Sequence, residues 1–286
     1  DREREFRPFL LESPLWVFVG RSVTAGTSQE DKKTFSDVTM ALLFLADFVA
    51  NRQDSVRMLE RLLGGRPGLL DDQGRDILSA LMYGARISLV VGIVSVLISV
   101  VVGVLLGLIA GFKGGWIDAF LMRLCDVMLS FPAILVALLI AGVGRAMFPN
   151  ANESLAFGVL IVAISLTGWV QYARTVRGST MVERGKEYVQ AARVTGVPSW
   201  RIMLKHVLPN VMGPVLVLAT IHVATAIITE ATLSFLGVGV PPTSPSLGTL
   251  IRVGNDYLFS GEWWITIFPG VMLVLMGAQM IAAGLI

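Results

Sequence analysis

ISLVVGIVSVLISVVVGVLLGLIAGF, residues 87–112, is the stretch on which the fold turns. It holds no charged side chain. At about 1.5 Å of rise per residue, a helix of this length crosses the roughly 30 Å of a bilayer's hydrocarbon with some tilt. A helix on the surface of a soluble protein alternates apolar and polar positions with a 3.6-residue period, and that alternation is nearly absent here. Gly92, Gly103 and Gly107 would weaken a soluble helix. In lipid, small residues let neighbouring helices approach closely, and Gly103 with Gly107 has the GxxxG spacing of a packing face.

The rest of the chain agrees with a bilayer environment. Of 286 residues, 54% are hydrophobic and 15% charged, with mean hydropathy +0.72, which excludes an ordinary soluble domain. Apolar runs at 127–143 (with Pro132), 155–172, 207–240 and 263–286 supply further spans, and Asp126 and Arg123 sit at the interface or pair beside the first of them. Trp263 and Trp264 open the last span where an interfacial aromatic belt is expected. One more span is expected in the first eighty residues, around the short apolar stretch 38–50 that contains Asp47. The expected fold class is therefore all-α: a polytopic membrane helical bundle of about six transmembrane helices. Residues 1–80 form an N-terminal region with one transmembrane helix and an extracytoplasmic segment, and 81–286 form the transmembrane domain. No secretory signal is visible in the charged opening residues, and a chain that starts without methionine and stops in an apolar run reads as trimmed at both ends.

Charge sets the orientation. Residues 173–206 carry Arg174, Arg177, Arg184, Lys186, Arg193, Arg201 and Lys205 against Glu183 and Glu187, so the positive-inside rule places this segment in the cytoplasm. Loops 144–154 and 237–262 are poor in basic residues and face outside. Counting back puts 51–86 outside as well, although it carries six arginines interleaved with acids. The net charge of +2 forms no basic stripe of the kind nucleic acid requires.

Inside the basic segment stands EYVQAARVTGVP (187–198), followed by SWRIMLKHVLPN (199–210). It reads as helix, stop, helix. Residues 187–195 make a two-turn helix, Gly196 suits the left-handed closing position, Pro198 blocks continuation, and Ser199 is placed to cap the next helix. A short, sharply bounded helix with Ala191 and Ala192 on its surface can enter a groove on a partner, with Glu187 and Arg193 fixing its register at the polar rim.

This stretch resembles the EAA loop in permeases of binding-protein-dependent ABC importers, and its AAR and HVLPN are similar to the peptide and nickel branch. Gln190 stands where that motif has glutamate, and His206 where it has isoleucine. DDQGRDILS (71–79) with YGAR (83–86), FLGVGVPP (235–242) with PSLG (245–248), and WW (263–264) with FPG (268–270) resemble further segments of that branch. The end of the chain departs from the family's usual close.

The resemblance implies a type I ABC importer permease fold and the second, "C"-type permease of its system. The subunit would form half of a translocation pathway for di- or oligopeptides, beside a homologous second permease. Two cytoplasmic ATPase subunits would carry ATP and Mg, an extracytoplasmic solute-binding protein would deliver solute, and the chain itself would hold no cofactor in a bacterial inner membrane. The coupling loop is 174–210, with Glu187, Tyr188, Gln190, Ala191, Ala192, Arg193, Gly196 and Pro198 docking the ATPase. Asp72, Gln73, Arg75 and Asp76 are candidates for contact with the binding protein. A nickel or glutathione importer of the same branch is the alternative, or, from another class, an ion-coupled secondary transporter.

His222 and Glu230 are ionisable groups within an apolar span and are candidates for the translocation pathway. Glu230 opens the family's Glu-Ala-x-Leu-Ser-Phe-Leu-Gly pattern, so helix packing or a gate hinge is its other reading. His206 and His222, the only histidines, lie too far apart along a helix to share a metal, and Cys125 is the single cysteine. No GxxxxGK(S/T), HExxH or GxSxG occurs, so the chain reads as a transport subunit and not an enzyme.

Overall fold

The computed structural model describes residues 76–148, 152–241 and 244–285, and every described element is helical. The expected N-terminal span, with Asp72, Gln73 and Arg75, lies outside the described residues. Helix α1 (Ile77–Lys113) starts where the Asp76 carboxylate accepts the Ser79 N–H at 2.8 Å, a side-chain cap on an otherwise unpaired donor. It ends at Gly114, whose φ of 68° only glycine tolerates easily. Its 37 residues span about 55 Å, more than the hydrocarbon needs.

Residues 127–143, expected as one span, are broken. Helices α2 (Gly115–Leu129) and α3 (Ala133–Met147) meet at 87°, because Pro132 lacks the N–H that would continue the ladder and its ring crowds the preceding turn. Asp126 pairs with Arg174 across the bundle and not with nearby Arg123, and Asp118 takes both arms of Arg177. Two ion pairs thus staple α2 to α4.

Helix α4 (Glu153–Glu183) runs well past the end of its apolar run, so the first third of the supposed loop is helix. A two-turn helix, α5 (Glu187–Val194), follows. The short α6 (Ser199–Ile202) passes through a π-turn at Met203–Val207 into α7 (Leu208–Phe235). The wider turn has a local cause: Pro209 would drive its ring into the carbonyl of a regular helix four residues back. Ser199 does not cap α6, whose capping position is Pro198 and carries no side-chain bond.

Loop 237–262, too, contains a helix, α8 (Leu247–Tyr257), capped by Ser246, which accepts the Thr249 N–H at 3.2 Å. The last helix is α9 (Trp264–Leu285). Among the described residues four helices are long and apolar enough to cross a membrane, and the bent α2–α3 pair makes a fifth span if counted as one.

The α1–α4 contact is the most extensive in the bundle. A Cβ on Gly103 would lie 2.5 Å from the Trp169 carbonyl oxygen, one on Gly107 2.5 Å from that of Ala173, and one on Gly111 2.7 Å from that of Arg177. The GxxxG face therefore packs directly against the backbone of α4, and Gly111 extends it by one turn. Helix α7 packs on the other flank of α1, and α8 and α9 complete the bundle.

Candidate functional site

Three places carry the polar chemistry. The first is the basic end, where one hydroxyl ties α5 to two of the long helices. The Tyr188 hydroxyl donates to Glu183 at 2.7 Å and accepts the Asn210 amide at 3.2 Å. It thereby joins the end of α4, α5 and the start of α7. Lys186 bonds the other oxygen of Glu183 at 2.6 Å. Burial, with the carboxylate it donates to, pushes the Tyr188 phenol up to about 12, so it remains a proton donor at any working pH. Val189, fully buried, packs α5 into the core.

The stop is built as its spacing predicts. Gly196 sits at φ 76°, its N–H reaches the Arg193 carbonyl, and the Val197 N–H reaches that of Ala192, both at 3.0 Å. These are the paired bonds of a Schellman closure. Pro198 follows it and ends the segment. Gln190, in place of glutamate, uses its amide to donate to the Gly185 carbonyl at 3.0 Å, a bond that a carboxylate could not make. Arg193 is exposed, and its guanidinium lies 5.0 Å over the Phe112 ring at the end of α1. Ala192 faces the chain's own core, while Glu187 and Ala191 face outward.

The second place is the opposite end of the bundle, around Glu230, which is fully enclosed. Its two carboxylate oxygens accept the hydroxyls of Ser88 at 2.6 Å and Ser234 at 2.7 Å. Those hydroxyls in turn accept the backbone N–H groups of Leu247 at 3.4 Å and Val240 at 3.0 Å. One carboxylate thus binds α1, α7 and the 236–247 connection together. Arg145, at the end of α3, adds a fork onto the carbonyls of Gly237 and Gly239. Asp76, a candidate for contact with a binding protein, spends its carboxylate on the cap of α1.

The third place is a cavity of about 240 Å³ between α1, α4 and α7, whose lining includes Ser99, Thr167, Gln171, His222, Thr225 and Thr229. His222 Nε2 lies 2.6 Å from the Gln171 side-chain oxygen, and its ring stands edge-on to Tyr172 with centroids 4.8 Å apart. The two intramembrane candidates therefore part company: His222 borders an opening, and Glu230 is sealed among hydroxyls.

The family of binding-protein-dependent transport system inner membrane components matches residues 103–283, from the glycine face of α1 through the α5 segment to α9. The chain belongs to this family. It is 36% identical over 241 residues to a provisionally named peptide transport system permease protein of Brucella suis, covering 81% of this chain and 76% of that protein. It is 40% identical over 205 residues to the dipeptide transport system permease protein DppC of Bacillus subtilis (72% and 61% covered). Against the oligopeptide transport system permease protein OppC of the same organism it is 37% identical over 218 residues (75% and 68% covered).

The protein is thus a multi-pass inner-membrane permease, and its apolar helices are its transmembrane bundle. The permease also exposes side chains near α5 that the motif reading passed over. Val194 is 89% exposed, Trp200 57% and Leu204 47%. An apolar residue in the last turn of so short and polar a helix was the available signal for Val194. For Trp200 the sequence offers no such signal.

Proposed function

We propose that this permease forms half of the translocation pathway of an importer for peptides, driven by ATP that two separate cytoplasmic subunits bind with Mg and hydrolyse. A homologous second permease lines the other half, and an extracytoplasmic solute-binding protein delivers the solute. The peptide reading is supported by what the relatives' names say those proteins transport. Within the loop 174–210, the ATPase grips α5 and the stop after it, the segment that holds Glu187, Tyr188, Gln190, Ala191, Ala192, Arg193, Gly196 and Pro198, from the outward face of Glu187 and Ala191. Asp72, Gln73, Arg75 and Asp76 are the residues proposed to meet the binding protein.

The observation that carries this reading is the Tyr188 junction. A helix gripped from outside transmits force only if it is rigidly joined to the spans it must move, and the Tyr188 hydroxyl joins α5 to both α4 and α7. ATP binding would close the ATPase pair, pull α5, and tilt α4 against α7 to turn the pathway outward. The test is a cysteine at outward-facing Ala191, which should crosslink to an ATPase subunit in membranes of the intact complex. Labelling of that cysteine only by reagents applied from outside the cell would reverse the orientation, and uptake independent of ATP would remove the proposed motor.

A further inference from the structure

The cavity beside His222 has a chemical character that can be read from where its protons go. Helix α7 presents Leu218, His222, Thr225 and Thr229 along one face, and α4 presents Thr167 and Gln171 four residues apart. Each hydroxyl has one proton to donate and lone pairs to accept with. Here the protons are already committed. Thr225 donates to the His222 carbonyl at 3.0 Å, Thr229 to that of Thr225 at 2.8 Å, and Thr167 to that of Ile164 at 2.9 Å. Ser99 shares its proton between the carbonyls of Ser95 and Ser165, at 2.9 and 3.1 Å. What these four side chains have left is acceptor capacity. Among the described residues, the lining of this cavity contains no aspartate, glutamate, lysine or arginine.

We infer that this cavity is a transit site for hydrogen-bond donors of the solute, foremost a protonated amino group, received by neutral hydroxyl oxygens. The inference rests on the reading of the chain as a peptide permease. A buried carboxylate would hold an ammonium group far more tightly than hydroxyls do, and a pathway must release what it receives. The nearest carboxylate on α7, that of Glu230, is enclosed by Ser88 and Ser234 and does not reach the cavity.

The experiment uses the complete complex in proteoliposomes with radiolabelled dialanine as probe, measuring solute moved and ATP hydrolysed together. Thr225→Val with Thr229→Val keeps the branched shape and removes two acceptors. Solute moved per ATP should fall roughly tenfold, the scale of losing one or two hydrogen bonds. Thr225→Lys and Thr225→Gln have similar reach and differ in charge. A fixed ammonium group should repel the solute's own and take uptake at least tenfold below that of the glutamine variant.

Unchanged uptake in the double valine variant, or uptake by Thr225→Lys equal to or above that of Thr225→Gln, would overturn the inference. Failure of the double variant to co-purify with the other subunits would make the cavity a subunit seam and overturn it equally. If the unmodified complex moves dialanine without ATP, the proposed function itself fails, an outcome distinguishable because it needs no substitution.

Discussion

Ser88 and Glu230 stand 142 positions apart in the chain, and the hydroxyl of one donates to the carboxylate of the other across 2.6 Å of fully enclosed space. The pair joins α1 to α7 at the end of the bundle where the 236–247 connection crosses. With Ser234 on the second carboxylate oxygen, both oxygens of Glu230 are satisfied, and both serine hydroxyls also accept a backbone N–H from that connection. A buried carboxyl group that would otherwise be costly becomes the pin of a local fold.

Removing that pin leaves enclosed hydroxyls without their acceptor. Glu230→Ala should destabilise the permease by about 2–4 kcal/mol, the cost of unsatisfied buried donors plus a cavity, read as a lowered melting temperature of the purified complex. Glu230→Gln keeps one acceptor oxygen but turns an amide donor toward a serine whose lone pair already serves the backbone, so it should fall between the two. A melting temperature for Glu230→Ala equal to that of the parent would refute the role.

Tyr188→Phe removes the hydroxyl and keeps the ring. The loss of its bonds to Glu183 and Asn210 is worth about 1–3 kcal/mol of junction stability, since one partner is a carboxylate. Because the ring still packs, the complex should assemble normally. The expected phenotype is uncoupling: ATP hydrolysis persists while solute moved per ATP falls severalfold, and coupling equal to the parent's would show that the junction transmits nothing.

Gly196 tests the geometry of the stop. At φ 76° a β-branched residue is strained by about 1–2 kcal/mol or more, although no neighbouring atom lies within 4 Å of where a Cβ would sit. The penalty is therefore conformational and not steric crowding. Gly196→Val should misdirect α5 and lower binding-protein-stimulated ATPase activity at least fivefold, Gly196→Asn should retain most of it because asparagine tolerates the left-handed region, and equal activity in both would dismiss the argument.

How much of this was legible in the sequence depends on the range of the interaction. The glycine face of α1 and the helix–stop–helix at Gly196 are written in local spacing, and both stand where that spacing puts them. The break at Pro132 is local too, but hydropathy averages across it, so an apolar run reads as one span while the backbone turns through 87°. The charged ends of α4 hid a helix for the same reason, because their positive side chains are those expected of a loop. The Arg174 partner of Asp126, the Phe112 partner of Arg193 and the Ser88 partner of Glu230 lie 48 or more residues away and could not be chosen from composition.

The α1–α4 seam makes a prediction with an internal control. A Cβ at position 107 would lie 2.5 Å from the Ala173 carbonyl oxygen, whereas one at Gly178, on the other partner, meets nothing within 4 Å. Gly107→Ala should therefore push the helices apart, costing about 1–3 kcal/mol, while Gly178→Ala, with no packing cost, should be neutral or slightly stabilising. Detergent melting curves of the two variants should separate clearly, and coincident curves would mean that the seam is not close-packed.

Arg145 supplies the last test, at the end of the bundle opposite α5. Its guanidinium places two N–H groups on two carbonyls of one turn, Gly237 and Gly239, where α7 has just ended. Carbonyls of a turn just past a helix have no helical partner of their own, so a cation that reaches two of them closes the turn and ties it to α3. Lysine carries the same charge but offers a single point and not a fork. Arg145→Lys and Arg145→Gln should thus both loosen the turn, with amide hydrogen exchange at 236–240 rising about tenfold, the exchange equivalent of roughly 1.4 kcal/mol of local opening. Exchange around Gly196, at the far end, should stay at the parent's rate. If lysine restored full protection, charge at the helix terminus and not the fork would be holding the turn.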